Sequence, residues 1–165
     1  MDPVSKDILS QLLPAEKEIL SPAGSRQRLS HLDHWSPAIL LERAAYLAKL
    51  AKHSDGAASE TLKQYPRHST MLSFRSRDGF AEVHENFADI FVVLDGRATL
   101  VTGGTVVAAR LIAPGETRGD AIEGGASQEL RAGDLAHVPA GRPHRMLVAG
   151  GQTFTSFVVK IQENP

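Results

Sequence analysis

His84-Glu85-Asn86-Phe87-Ala88-Asp89-Ile90-Phe91-Val92-Val93-Leu94-Asp95-Gly96 is the stretch whose reading decides the fold. Its second half is a β-branched and aromatic run that reads as a strand, ending on Asp95-Gly96, a dipeptide that favours a two-residue hairpin turn. Its first half sets a His, an Asn and an Asp at the mouth of that strand. Side chains two apart on a strand share a face, so His84 and Asn86 point together. Phe87-Ala88 is then expected to bend, after which Asp89, Phe91 and Val93 share a face. With that face turned inward, Phe91 and Val93 are buried and His84, Asn86 and Asp89 converge. A polar cluster in an apolar cavity is costly unless its members pair or coordinate an ion. Imidazole and carboxylate suit a divalent transition metal (Zn, Mn, Fe, Ni or Cu), and an incomplete protein shell leaves positions for water or a substrate.

Around this stretch the chain reads as short strands. Residues 70–74 and 80–84 flank Asp78-Gly79, and residues 90–94 and 98–101 flank Asp95-Gly96. Gly103-Gly104 predicts a further turn before residues 105–107. Residues 113–128, with Pro114-Gly115 and Gly124-Gly125, have little apolar periodicity and read as a long loop, either flanking a pocket or simply solvated. Residues 135–138, 144–148 and 154–159 complete a set of strands whose spacing and Gly-rich turns point to a sandwich or barrel.

Residues 1–65 read instead as helix and loop, a helical extension preceding a barrel domain at 66–165. Ile8, Leu9, Leu12 and Leu13 make a short helix that Pro14 ends, and residues 21–25 form a loop. A stronger helix begins at Ser36-Pro37, where Ser caps and Pro suits the first turn. Leu40, Ala44, Leu47 and Ala51 lie on one face of it, and Asp55-Gly56 marks its end. That apolar stripe is expected to pack on the outside of the barrel or on a second subunit.

Composition narrows the partners. Lys and Arg number 18 against 19 Asp and Glu, with no long run of either sign, so no basic stripe for nucleic acid is present. The chain has no cysteine, so no disulfide staples it. No apolar stretch is long enough to span a membrane, and no signal-like apolar core follows Met1, so a soluble cytoplasmic protein is expected.

Residues 79–96 and 133–144 resemble the two motifs of the cupin superfamily. Its first motif runs Gly, two His one residue apart, a Glu a few residues on, then six residues and Gly; here Gly79, His84, Asn86, Asp89 and Gly96 stand in those places. Its second motif is matched by Gly133, Pro139, Gly141 and His144, with Val148 where Asn is usual. The resemblance covers about residues 70–160. It implies an all-β double-stranded β-helix (jelly-roll) barrel, often dimeric, holding a metal. Carried over by position, the ligands are His84, His144 and Asp89, with Asn86 as a weak ligand or a partner of one. Asn replaces His and Asp replaces Glu, and the interval between Asn86 and Asp89 is short for the pattern. The alternative is a hydrogen-bonded polar cluster without metal.

Phe91, Val93 and Met146 are the expected pocket-lining residues. Arg110, Arg118, Arg142 and Arg145 are candidates for holding an anionic substrate, His137 reads as a structural or pocket-rim residue, and His31 and His34 read as surface residues. The expected function is that of a small-molecule metalloenzyme of cupin type, an oxygenase, isomerase or lyase. A non-catalytic cupin that binds a small metabolite in a metal-free site is the alternative. A homodimer is expected in either case.

Overall fold

Ser36 and Pro37 open a helix as their chemistry predicts. In the computed structural model, which describes residues 32–163, α1 spans Pro37–Ala51 and the Ser36 hydroxyl accepts the Ile39 N–H at 3.3 Å. Leu40, Ala44, Leu47 and Ala51 are its buried residues. The expected helix at residues 8–13, the loop at 21–25 and His31 lie outside the described residues. No helix among the described residues is long and apolar enough to cross a membrane.

The remainder is strand. In chain order the strands are β1 (Ala57–Gln64), β2 (His68–Arg75), β3 (Ala81–His84), β4 (Phe87–Thr102), β5 (Thr105–Val107) and β6 (Arg110–Ala113). There follow β7 (Glu116–Gly119), β8 (Ala121–Glu123), β9 (Ala126–Arg131), β10 (Leu135–Val138), β11 (His144–Leu147) and β12 (Phe154–Gln162). Ten of them form one antiparallel sheet whose path runs β1-β2-β12-β4-β11-β3-β7-β6, with β9 and β10 also on β4; β5 and β8 pair separately. Leu40, Ala44 and Leu47 pack with Leu72, Phe74, Leu94 and Phe157 from β2, β4 and β12, so α1 covers the outer face of the sheet.

β4 organises the barrel and corrects one expectation. Its first half pairs with β12 and β10, and its second half with β11 and β9. Asp95-Gly96 is therefore no hairpin but the place where one strand passes between two sets of partners. The register slips there: Thr155 pairs with Asp95 and Ser156 with Val93, leaving Leu94 extra. Gly96 has φ +77°, and a β-carbon on it would lie 2.0 Å from the Thr153 carbonyl oxygen. A hairpin turn and a bulge both call for a left-handed glycine, which is why the dipeptide misleads.

Three further expectations change. Residues 57–64 form β1 at the sheet edge instead of extending the helical segment; Glu60, Lys63 and Gln64 hide its strand character. The predicted 113–128 loop contains β7, β8 and the start of β9, strands too polar to show an apolar period. The turn at Gly103-Gly104 forms, both glycines having positive φ, but it leads β5 to β8 and not back along β4.

Inside the barrel, Val93, Ala98, Leu100, Leu130, Val138, Met146, Val148 and Phe154 form one apolar cluster. Met146 and Phe154 also belong to the wall of a cavity beside it.

Candidate metal centre and ligand cavity

That cavity has a volume of about 330 Å³ and is walled by β1, β2, β3, β4, β7, β11 and β12. Three buried polar residues meet in its wall: His84 at the end of β3, Asp89 near the start of β4 and His144 at the start of β11. The chain bends at residues 85–86, two residues earlier than expected, because β4 begins at Phe87. His84 Nε2 and His144 Nε2 each lie 3.4 Å from Asp89 Oδ2. The other Asp89 oxygen, Oδ1, accepts from Lys160 Nζ at 2.7 Å.

The far sides of the two imidazoles fix their tautomers. His84 Nδ1 hydrogen-bonds the carboxylate of Glu116, which β7 places opposite it, and His144 Nδ1 is 3.2 Å from the Arg142 carbonyl oxygen. A carboxylate and a carbonyl only accept, so both Nδ1 atoms carry hydrogen. In their neutral form both rings then aim Nε2 lone pairs at a carboxylate oxygen. Lone pairs converging on a carboxylate in a buried place call for positive charge between them, either a metal ion or an added proton. Carboxylate and carbonyl partners behind ligating histidines are the usual outer support of a metal site, so the residues present fit a metal.

The charged groups set one another's titration. Burial works against the ionised form of Asp89, but hydrogen bonds from His144 and His84 and the nearby Lys160 charge overcome it, holding the carboxyl well below the usual range. For His84, burial opposes protonation and so does the Lys160 charge. The hydrogen bonds to Asp89 and Glu116 and the Asp89 charge prevail and raise its pKa above the ordinary 6.5.

Glu82 joins this group. It precedes His84 by two residues on β3, lines the cavity, and offers a carboxylate oxygen that lies with a nitrogen of His84 and one of His144 within 4.8 Å of one another. Its Oε1 also accepts from Arg118 Nε at 3.1 Å. Asn86 stands apart, exposed on the bend with its amide beside Gly115, and is not in the cavity wall. Both residues are two positions from His84, but only Glu82 shares its strand. With Glu82 and His84 as the pair one residue apart, four residues precede Asp89 and six still separate Asp89 from Gly96. The short interval then disappears.

Of the expected lining residues, Phe91 and Met146 face the cavity, whereas Val93 lies in the apolar cluster behind it. Arg118 and Arg145 line the cavity. Arg110 pairs with Asp120 on the surface, and Arg142 packs beside Gly103. His137 is half exposed, 3.9 Å from Glu163, and outside the cavity wall. The sequence reading missed Glu82, Glu116, Lys160 and Arg75. Strand parity points to Glu82; the others arrive through pairings between distant segments.

No protein-family model and no curated protein matches the chain. Solved structures do. A protein of Thermus thermophilus is 18% identical over 74% of this chain and 93% of its own, with a TM-score of 0.52. An uncharacterized conserved protein with a double-stranded β-helix domain from Klebsiella pneumoniae is 18% identical over 67% of this chain and 82% of its own, with a TM-score of 0.50. The chain has the double-stranded β-helix fold that its two motifs imply.

Proposed function

We propose that this protein is a metal-dependent cupin acting on a small organic molecule, with His84, His144, Glu82 and Asp89 as the residues that hold a divalent transition metal. The observation that carries this reading is the convergence of two Nε2 lone pairs on Asp89 Oδ2, with both Nδ1 atoms tied to acceptors. Two imidazoles with carboxylates suit Zn, Mn, Fe, Ni or Cu. A metal bound there would polarise an oxygen of the molecule held beside it. Phe91, Met146 and Val158 give the cavity an apolar side for the body of such a molecule, while Lys160 holds Asp89 in place through Oδ1. Whether the chemistry is that of an oxygenase, isomerase or lyase rests with the bound molecule.

Elemental analysis of the purified protein, expressed with these metals supplied, tests the reading. Bound metal is expected, and His84→Ala or His144→Ala should remove it. Glu116→Ala should weaken metal affinity by roughly 10- to 100-fold, as losses of outer partners do. Asn86→Ala should leave metal content unchanged, which separates this ligand set from one that includes the amide. A protein that binds none of the five metals overturns the proposal.

One observation favours a second reading, a metal-free cupin that binds a small metabolite without turning it over. Lys160 already neutralises Asp89, and the raised pKa of His84 would let an imidazolium complete the cluster. We further propose a homodimer, since β1 ends the sheet and pairs only with β2 among the described residues. A monomeric mass in light scattering at micromolar concentration would exclude it.

A further inference from the structure

Each acidic side chain in the cavity wall has a basic partner. Asp89 has Lys160, Glu82 has Arg118, and Glu116 has His84. Two guanidinium groups in the same wall, Arg75 on β2 and Arg145 on β11, have no acidic partner among the described residues. Both are half-buried and both stand against Gly79. Arg145 donates through Nε to the Gly79 carbonyl at 2.8 Å, and a β-carbon at Gly79 would lie 3.0 Å from Arg75 Nη1. The absence of that β-carbon lets the Arg75 guanidinium approach the backbone.

The 78–79 segment is itself fixed to β11 and the residue that follows it. The Gly79 N–H donates to the Met146 carbonyl, and the Asp78 carboxylate accepts from the Val148 N–H, each at 2.8 Å. Arg145 uses one of its five donors on Gly79, leaving its terminal nitrogens available. Two cations held beside one rigid residue repel each other unless an anion lies between them, and a guanidinium fork matches the two oxygens of a carboxylate.

We propose that Arg75 and Arg145 form a carboxylate-binding site, so that the molecule taken by this cavity is a small organic acid. Its carboxylate sits at Gly79, and its body lies along Met146 and Phe91 toward His84 and His144. The proposal rests on the cavity being the ligand site, as argued above, but does not require the metal.

The test is titration of the full chain, as purified and after dialysis against a chelator, followed by amide NMR. The probes are acetate, propionate, benzoate and 3-phenylpropionate, each against its own amide, with inorganic phosphate alongside. At least one acid should bind about tenfold or more tightly than its amide, the size expected when a charge-assisted hydrogen bond is lost. Arg75→Gln should remove most of that preference while amide binding and the melting temperature stay as they were; Arg110→Gln, outside the cavity, should change neither. Acids and amides binding alike, phosphate binding better than every acid, or a preference that survives Arg75→Gln would each overturn the site. Metal without acid preference defeats this proposal and leaves the metal reading standing; acid preference in a chain that binds no metal does the reverse.

Discussion

The outer face of β2 presents Leu72 and Phe74 to α1, whereas its inner face presents Met71, Ser73 and Arg75 to the cavity. Leu72 is fully buried, at 0% exposure, in a cluster of aliphatic and aromatic residues from α1, β1, β4 and β12. Arg75, three residues on, is half-buried and has no acidic partner among the described residues. Burial of apolar area stabilises the outer layer, while the inner layer keeps polar groups where packing alone would place hydrocarbon. One strand thus separates a surface that holds the fold from one that can hold a ligand.

Substitutions on the two faces should therefore separate stability from binding. Leu72→Ala has the largest expected effect, a loss of about 2–5 kcal/mol in denaturant unfolding with metal content per folded molecule unchanged. Acidification comes next and acts on the inner face. The native pKa of Asp89 lies below its unfolded value near 3.8, so its contribution is complete above that value and is lost as pH falls through the native pKa. His84 is shifted upward, so in metal-free protein its contribution is present below about 6.5 and is lost as pH rises through the native value. Melting temperatures of metal-free protein should fall in both directions. Asp89→Asn should flatten the acid limb, and bound metal, which needs a neutral imidazole, should remove the His84 limb.

Smaller effects sharpen the contrast. Thr70, also on β2, buries a hydroxyl that has no hydrogen-bond partner among the described residues. Thr70→Val keeps its shape and should raise unfolding stability by about 1 kcal/mol. Ser36→Ala removes the helix cap and should cost about 1 kcal/mol. Arg75→Gln should lie within about 0.5 kcal/mol of the parent in stability while changing ligand preference.

Legibility in the sequence follows the same division. The α1 stripe was readable because local periodicity determines it. His84, Asp89 and His144 were readable because each lies in a motif, and the structure brings all three together. Glu116 and Lys160 were not, because cross-strand pairs place them: His84 opposite Glu116 and Asp89 opposite Lys160. No local pattern states which strands will be neighbours. Asn86 and Glu82 differ for a simpler reason. Alternation holds only while the strand lasts, and it ends at His84.

The extra residue at Leu94 bears on how the chain tolerates insertions and deletions. Asp89, Phe91 and Val93 face inward on one side of it, and Ala98 and Leu100 on the other, so the inward positions change from odd to even across the bulge. Removing one residue at the bulge would restore strict alternation and keep both sets inside, at the loss of the bend that carries β4 from one group of neighbours to the other. Removing one residue anywhere else in β4 would exchange inside for outside along half its length. Length variation in this strand is thus confined to a single position, between the residues that face the histidines and those that fill the core.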